Sequence, residues 1–368
     1  MPARVCTSHS TLYILTEAIS IRPAPTEVAV FGSLRRPALL FVASLLTAVV
    51  AISCSSSSDN TVTLYTDRGS LEIGSLFEDY ATANNISLKV RSGSTGELTA
   101  LLLEEGNRTP ADLIYIESGG ALGHLAEAGL LTELPGDLLS KVDTKFRSPD
   151  GKWMGVTGRI RTIVYNTARI DPKDLPDSIL GFTDPKWKGR IGWAPGHGET
   201  QGFITALRST LGDAETELWL RGIQANQPVV YGNNIAITQG VASGAVNVGF
   251  VNHYYVHRFI AERGEAFGAR NYYFENGAPG SFVDVSGVGL IATSKHKENA
   301  LKLLTYLAED EAQRYYAQRV FDFPVASTQF QPAGVPPLAT LQPPDINIST
   351  LTDTQGTVQL MRRAGVLP

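Results

Sequence analysis

The feature that most limits what this chain can fold into is a unit it uses four times. The unit is a short apolar stretch, a glycine-rich or polar loop, then a run with helical spacing. "VTLYT" (62–66) leads through "DRGS" into a run where Ile73, Leu76, Phe77 and Tyr80 recur three and four residues apart. "DLIYI" (112–116) leads through "ESGG" into a helix carrying Leu122, Leu125 and Ala126. "RIGWA" (190–194) leads through "PGHG" into "ETQGFITALRSTL", and "AVNVGFV" (245–251) leads into "NHYYVHRF". Strands that alternate with helices need parallel-rich sheets covered on both faces, an α/β fold. Ligands of such sheets collect beyond the carboxyl ends of the strands, where loops turn into helix starts. All four loops hold that position, and if they belong to two facing lobes they line one cleft.

The fourth unit sets Tyr254 beside Tyr255. On a strand, neighbours point to opposite faces and one pocket would not recruit both. Asn252 offers a way out: as an N-cap after the strand it would accept from backbone N–H groups two or three residues on. The helix then runs from His253 to Arg263, buries Val256, Phe259 and Ile260, and stops at Gly264. In its first turn the two tyrosines lie about 100° apart, so both phenols reach the space beyond the helix end, where the dipole favours negative charge. The plainer reading has one ring packed and the other in solvent. Tyr272–Tyr273, before a Gly/Pro turn, reads as part of a hinge strand. Tyr315–Tyr316, at helical spacing with Ala312 and Val320, reads as packing.

Two phenolates and a carboxylate are hard oxygen donors carrying three negative charges, a set that suits a hard trivalent cation such as Fe3+. Glu117, at the tip of the second strand, is the natural carboxylate. A free tyrosine has a pKa near ~10, so a bound cation must displace its proton and affinity should fall as pH falls.

At 368 residues the chain is long enough for two domains or two lobes. Arg35–Arg36 precede the uncharged apolar run from Pro37 to Ile52, followed by Ser53–Cys54 and a serine stretch. That is an export signal, too short for a membrane span. Ala51–Ile52–Ser53–Cys54 is similar to a lipobox, with Ala51 in place of the usual leucine. Residues 1–53 are therefore expected to be a signal peptide with an N-terminal extension, the natural start lying downstream of the first residues. Residues 54–60 then form a tether lipidated at Cys54; plain secretion is the other reading. Taking four arginines and two glutamates from a chain of net charge −5 leaves −7, a poor match for nucleic acid. Past Cys54 there is no cysteine, which excludes disulfides, thiolate metal sites and cysteine-protease chemistry in the mature chain.

Over about residues 60 to 368 the sequence resembles the ferric-iron-binding proteins of bacterial iron(III) ABC transporters, a branch of the periplasmic binding proteins. The resemblance is carried by "TPADLIYIES" (109–118), "GRIRTIVYN" (158–166), "DPKWKGRIGWAP" (184–195), "NNIAITQGVASGAVNVGFVNHYY" (233–255) and "GAPGSFVDVSGVGL" (277–290). The N-x-Y-Y after a buried strand is the most specific of these. The resemblance implies a type II fold of two α/β lobes, each a mixed, mostly parallel sheet flanked by helices, with the cleft between them. Lobe 1 would be 60–161 plus 283–335, and lobe 2 would be 162–282 plus 336–368. The proline-rich 332–346 would cross between lobes and end in a short helix at 354–364.

The same resemblance implies Tyr254, Tyr255 and Glu117 as Fe3+ ligands, with carbonate or phosphate as a synergistic anion beside the metal. Two departures stand out. Gly69 lies where many members have a first-loop histidine, and "GHGE" replaces a loop that in some branches adds a third tyrosine. His197 or Glu199 could supply the missing ligand, or an exogenous anion and water could. Arg161 matches the cleft arginine, and its planar fork suits a bidentate oxyanion. Of Arg159 and Arg161 only one is expected to face the cleft, and Arg68 is a second candidate. Asn234 and Asn252 resemble the anion-side asparagines, Gly198 in the "GHGE" loop could add a backbone donor, and Trp193 could wall the cleft.

The expected partners are the permease and ATPase of an iron ABC importer, and the membrane through the lipid anchor. The protein is expected to be a monomer, periplasmic or on the outer face of the cytoplasmic membrane. Two alternatives stand beside this reading. One is the same fold binding a small organic or oxyanion solute. The other is an exported enzyme, which the absence of GxSxG, HExxH and P-loop signatures opposes.

Overall fold

The structure, a computed structural model, describes residues 60–368; the export signal, Cys54 and the serines after it lie outside the described residues. The strands are β1 (Thr61–Thr66), β2 (Ser87–Ser92), β3 (Leu113–Ile116), β4 (Trp153–Asn166), β5 (Ile191–Trp193), β6 (Val229–Val230), β7 (Val248–Asn252), β8 (Ala269–Tyr272), β9 (Val283–Leu290) and β10 (Phe323–Pro324). The helices of the first half are α1 (Ser70–Ala83), α2 (Thr95–Glu105), α3 (Gly119–Glu127), α4 (Gly136–Leu139), α5 (Gly198–Leu211) and α6 (Asp213–Ala225). Those of the second are α7 (Asn234–Ala242), α8 (Tyr254–Arg263), α9 (Lys297–Tyr306), α10 (Asp310–Tyr315), α11 (Leu338–Leu341) and α12 (Thr354–Arg363).

All four strand–loop–helix units are present, as β1–α1, β3–α3, β5–α5 and β7–α8. Their strands do run parallel to their neighbours, in β2-β1-β3 on one side and β6-β5-β7 on the other. Between them lie the two crossing strands β9 and β4, antiparallel to what they touch. The result is a type II periplasmic-binding-protein fold.

One strand joins the two sheets. From Trp153 to Ile160, β4 pairs with β9; from Arg161 to Tyr165 it pairs with β7. The handover falls between Ile160 and Arg161, so the cationic pair Arg159 and Arg161 straddles it. A strand this long is buried along nearly its whole length, because each half is an interior strand of its own sheet. At the outer edge, β2 exposes Lys89 and Arg91, charges that discourage pairing with another chain.

Local sequence explains the helix starts and stops near the site. Ser94 and Glu97 form a capping box at α2, and Ser118 caps α3 by accepting from the Ala121 N–H. Helix α8 ends at Gly264 with φ 82°, a left-handed turn that glycine adopts without strain. Its buried face, Val256 and Phe259, packs with Val164, Val251 and Phe267, each large side chain contributing about 1.5–3 kcal/mol. Gly249 lets α7 lie close on β7: a Cβ there would stand 2.3 Å from Ile237 Cγ2.

The C-terminal stretch touches both halves. The short segment 348–351 lies on α3, where Gly120 and Gly123 leave room for the carbonyls of Leu351 and Ser349. Beyond it, α12 seats on α5 through a 2.7 Å bond between the hydroxyls of Thr205 and Thr357.

Candidate metal centre

The phenols of Tyr254 and Tyr255 meet. Their hydroxyl oxygens lie 3.1 Å apart and their ring centroids 4.3 Å apart. Both residues open α8, as the helical spacing requires. The cap expected of Asn252 is not made. Asn252 ends β7, His253 is already helical in backbone without capping α8 through its side chain, and Asn252 Oδ1 accepts instead from Arg161 Nη1 at 3.3 Å. A buried guanidinium beside the strand end is the stronger partner, and the helix start goes without a side-chain cap.

A third oxygen joins the phenols. The Tyr254 hydroxyl donates to Glu199 Oε1 at 2.9 Å, while Asn234 Nδ2 donates to Glu199 Oε2. Of the two residues left open for the missing ligand, Glu199 is therefore the one beside the tyrosines. His197 sits one residue before α5, its Nδ1 3.6 Å from Glu199 Oε2 and without a hydrogen bond. Gly198 begins α5, and Asn234, wholly buried, begins α7 behind the cap Asn233.

Glu117 lies at the end of β3 with its carboxylate paired to Arg68, which also holds Asp322 at 2.9 Å. Arg68 is 2% exposed, its two Nη atoms held by these two carboxylates and its Nε without a hydrogen-bond partner, so its charge is matched within the chain. Arg159 holds the Glu117 carbonyl, Ser286 at 2.8 Å and Asp284 at 3.3 Å. Arg161 bonds Thr200, the Phe250 carbonyl and Asn252. The expectation that only one of the two arginines faces the cleft is corrected: residues two apart on a strand share a face, and both line one small cavity with Glu199, Asn252 and Asp284. Its volume is about 10 Å³, the room one water needs.

Other landmarks separate from the site. Trp193, 1% exposed, belongs to the core instead of walling a cleft. Tyr273 bonds His257 and Asn271 under α8. Tyr316 is buried within a widened helical turn, Tyr316–Val320, closed by Phe321 in the left-handed region. Sequence reasoning had no hold on Arg258. Its guanidinium sits 4.3 Å from the Tyr254 ring centroid and pairs with Glu72 of α1 at 2.7 Å. Its spacing of four residues from Tyr254 was the available signal.

The electrostatics follow from burial and crowding. Burial pushes the Tyr254 phenol well above its ordinary range, and the charges of Glu199, Tyr255 and Glu117 push the same way. Tyr255 is raised by burial, then by Glu199 and Glu117. Burial also raises Glu199, helped by Glu117 and opposed by Arg159 and Arg161. For Glu117 burial is outweighed by Arg159 and Arg68, and the carboxyl ends below the usual range. The centre thus sets phenols whose protons burial and neighbouring negative charge make hard to remove beside two carboxylates, an arrangement that a cation would relieve.

Among the described residues no three His, Cys, Asp or Glu side chains converge on a metal position, so a metal held here depends on phenol oxygens. A small hard cation in octahedral oxygen coordination, with bonds of about 2.0–2.1 Å, separates neighbouring ligand oxygens by about 2.9 Å. The Glu199–Tyr254 and Tyr254–Tyr255 separations, 2.9 and 3.1 Å, fit that edge.

Residues 108–349 match the family of bacterial extracellular solute-binding proteins. The chain is 29% identical over 308 residues to the major ferric iron-binding protein of Neisseria meningitidis serogroup B, covering 83% of this chain and 93% of that protein. It is 31% identical over 295 residues to iron uptake protein A2 of Synechocystis, covering 76% and 83%. Among solved structures, iron-bound HitA from Pseudomonas aeruginosa superposes with a TM-score of 0.78 at 32% identity, covering 83% of this chain and 99% of that one.

Proposed function

Because this chain belongs to the bacterial extracellular solute-binding proteins, a family of transport proteins and not of enzymes, we propose that its solute is ferric iron. The carrying observation is the cluster of three oxygens, the phenols of Tyr254 and Tyr255 and a carboxylate oxygen of Glu199, at the separations of an octahedral edge. Glu117 supplies the facing carboxylate; Arg68 occupies its Oε1 and leaves Oε2 for the metal. Ferric iron is favoured over softer or divalent ions because phenolates and carboxylates are hard donors; the two phenolates and Glu199 match its three positive charges, and Arg68 offsets that of Glu117. Arg161, Asn234, Asn252 and the loop before Gly198 are the counterparts of an oxyanion beside the metal; carbonate and phosphate are free ions of that class, and the Glu199 carboxylate is one fixed in the chain. The names of the relatives, ferric iron-binding and iron uptake proteins, support the assignment.

In this reading the mature protein is exported, held at the membrane by a lipid on Cys54, and closes on Fe3+. It then delivers the ion to the permease and ATPase of an ABC importer. The division into lobes is read at Ile160–Arg161, where β4 changes partners.

One observation keeps the alternative of an organic or oxyanion solute in view: Arg159 and Arg161 line the small cavity and Arg258 lies over the Tyr254 ring. Ferric salt added with bicarbonate to the purified, metal-free chain separates the two. Iron capture predicts a visible phenolate-to-iron charge-transfer band, lost in Tyr254→Phe and in Tyr255→Phe. A colourless protein holding no iron by elemental analysis rejects iron in favour of the arginine-bound solute.

A further inference from the structure

The anion-side candidates Arg161, Asn234, Asn252 and Gly198 lie around one carboxylate of the chain itself, Glu199, whereas Arg68 holds Glu117 and Asp322. Asn234 Nδ2 bonds Glu199 Oε2. Gly198 and Glu199 are the first two residues of α5, a helix of 14 residues, so Glu199 occupies the helix start where a bound anion would sit. Arg159, Arg161 and Asn252 line the same small cavity as Glu199. That cavity, about 10 Å³ in volume, admits about one water, and the Glu199 side chain lines it. Two buried polar atoms at its margin, Arg161 Nε and Asn234 Oδ1, have no hydrogen-bond partner, so the site keeps unspent polarity. The other oxygen, Oε1, is turned to Tyr254, the position from which an anion beside the tyrosines would reach the metal.

We infer that Glu199 is a built-in synergistic anion: its carboxylate takes the place of free carbonate or phosphate, binding the metal through Oε1 while Asn234 holds Oε2. This rests on the ferric reading above. It has a physical advantage over a free ion. A tethered carboxylate already sits at the metal position, so no anion has to be recruited from solution and no translational entropy is lost with it. It has a cost as well. The anion cannot leave, so release of iron depends on opening the protein and not on exchange of a small ion.

The test uses metal-free mature protein in degassed buffer without bicarbonate, phosphate or carboxylates, titrated with ferric chloride from an acid stock. The charge-transfer band and bound iron are measured before and after adding bicarbonate or inorganic phosphate. The wild-type chain is expected to develop its full band without either anion, and to change less than twofold in affinity when one is added. Glu199→Ala is expected to lose at least tenfold in affinity without anion and to recover most of it with bicarbonate or phosphate. Glu199→Gln keeps the size of the side chain and its bond to Asn234, so it is expected to lose affinity as well but not to regain it with added anion, whose place the amide still fills; circular dichroism checks that both variants fold. A wild-type band that requires added anion overturns the inference and leaves the ferric reading intact. So does Glu199→Ala binding as tightly as wild type without anion. Absence of a band under every condition removes the ferric reading itself.

Discussion

The Tyr254 hydroxyl and the Glu199 carboxylate, 2.9 Å apart, tie the first turn of α8 to the first turn of α5 with a single proton. A second phenolic proton lies between Tyr254 and Tyr255, 3.1 Å apart. On the proposed reading, metal capture at this point would exchange a cation for those two protons.

Both phenols are raised by burial and by neighbouring carboxylates, so both remain protonated throughout the neutral range. Iron uptake should therefore release about two protons, and the logarithm of the apparent affinity should rise by about two per pH unit between pH 6 and 8. Competition with a chelator of known constants at several pH values measures the slope. A slope near zero would mean that the phenols do not bind as phenolates.

Replacing Arg68 should damage the fold more than any surface change. Its guanidinium is buried against Glu117 and Asp322, and removing one partner of such a group leaves uncompensated charge at a cost of about 3–5 kcal/mol. Arg68→Met should lower the urea midpoint accordingly. Adding Asp322→Asn to Arg68→Met should recover part of the loss, because one stranded carboxylate is then gone.

Arg258 joins α8 to Glu72 of α1 and lies over the Tyr254 ring. Hydrogen bonds to charged groups contribute about 1.5–3 kcal/mol when partly buried, so Arg258→Met should weaken iron binding about tenfold or more, mainly through faster release. Stopped-flow measurement of iron loss to excess chelator reads this directly. An unchanged release rate would show that the pair does not help to hold the closed form.

Asp284 has the opposite linkage to an ordinary ion-paired carboxylate. Burial raises it from its usual value to about 6, against the pull of Arg159. A folded-state value above the unfolded one means its stabilising contribution is present below about pH 4 and is lost as pH rises through about 6. Asp284→Asn should therefore stabilise the metal-free protein at pH 7.5 relative to wild type, with the difference vanishing below pH 4. Melting temperatures across that range test the sign.

Gly120 decides whether the segment 348–351 can lie on α3. Alanine normally favours a helix over glycine by about 1 kcal/mol, but a Cβ at Gly120 would stand 2.2 Å from the Leu351 carbonyl oxygen. Overpacking costs about 1–3 kcal/mol, and a rigid backbone atom cannot step aside cheaply. Gly120→Ala should thus destabilise, and proteolysis in 340–352 should quicken. A stabilised variant would mean the segment leaves α3 readily.

Much of this was legible in the chain. The four strand–loop–helix units and the stop at Gly264 follow from periodicity and local chemistry, which act over a few residues. Tyr254 and Tyr255 could be brought to one side once they were read as a helix start. Long-range competition was not legible. Asn252 is a good cap in isolation, yet a guanidinium from β4 claims it. Arg68 reads as a loop cation available to a ligand, but Asp322, some 250 positions away in the chain, takes it up. His197 and Glu199 both stood as candidates for the missing ligand because a two-residue offset at a helix start decides which one lies beside the tyrosines, and tertiary packing sets that offset.

The unbroken passage of β4 through both sheets has a consequence for how the molecule can be dissected. A chain cut between Gly158 and Arg161 would part Trp153–Gly158 and β3 from β9, which pairs with both, so the first sheet would be split between the fragments. Neither piece could serve as a self-sufficient module. Complementation of the receptor from separately expressed parts has to use a surface loop such as 149–151, which leaves that ribbon whole.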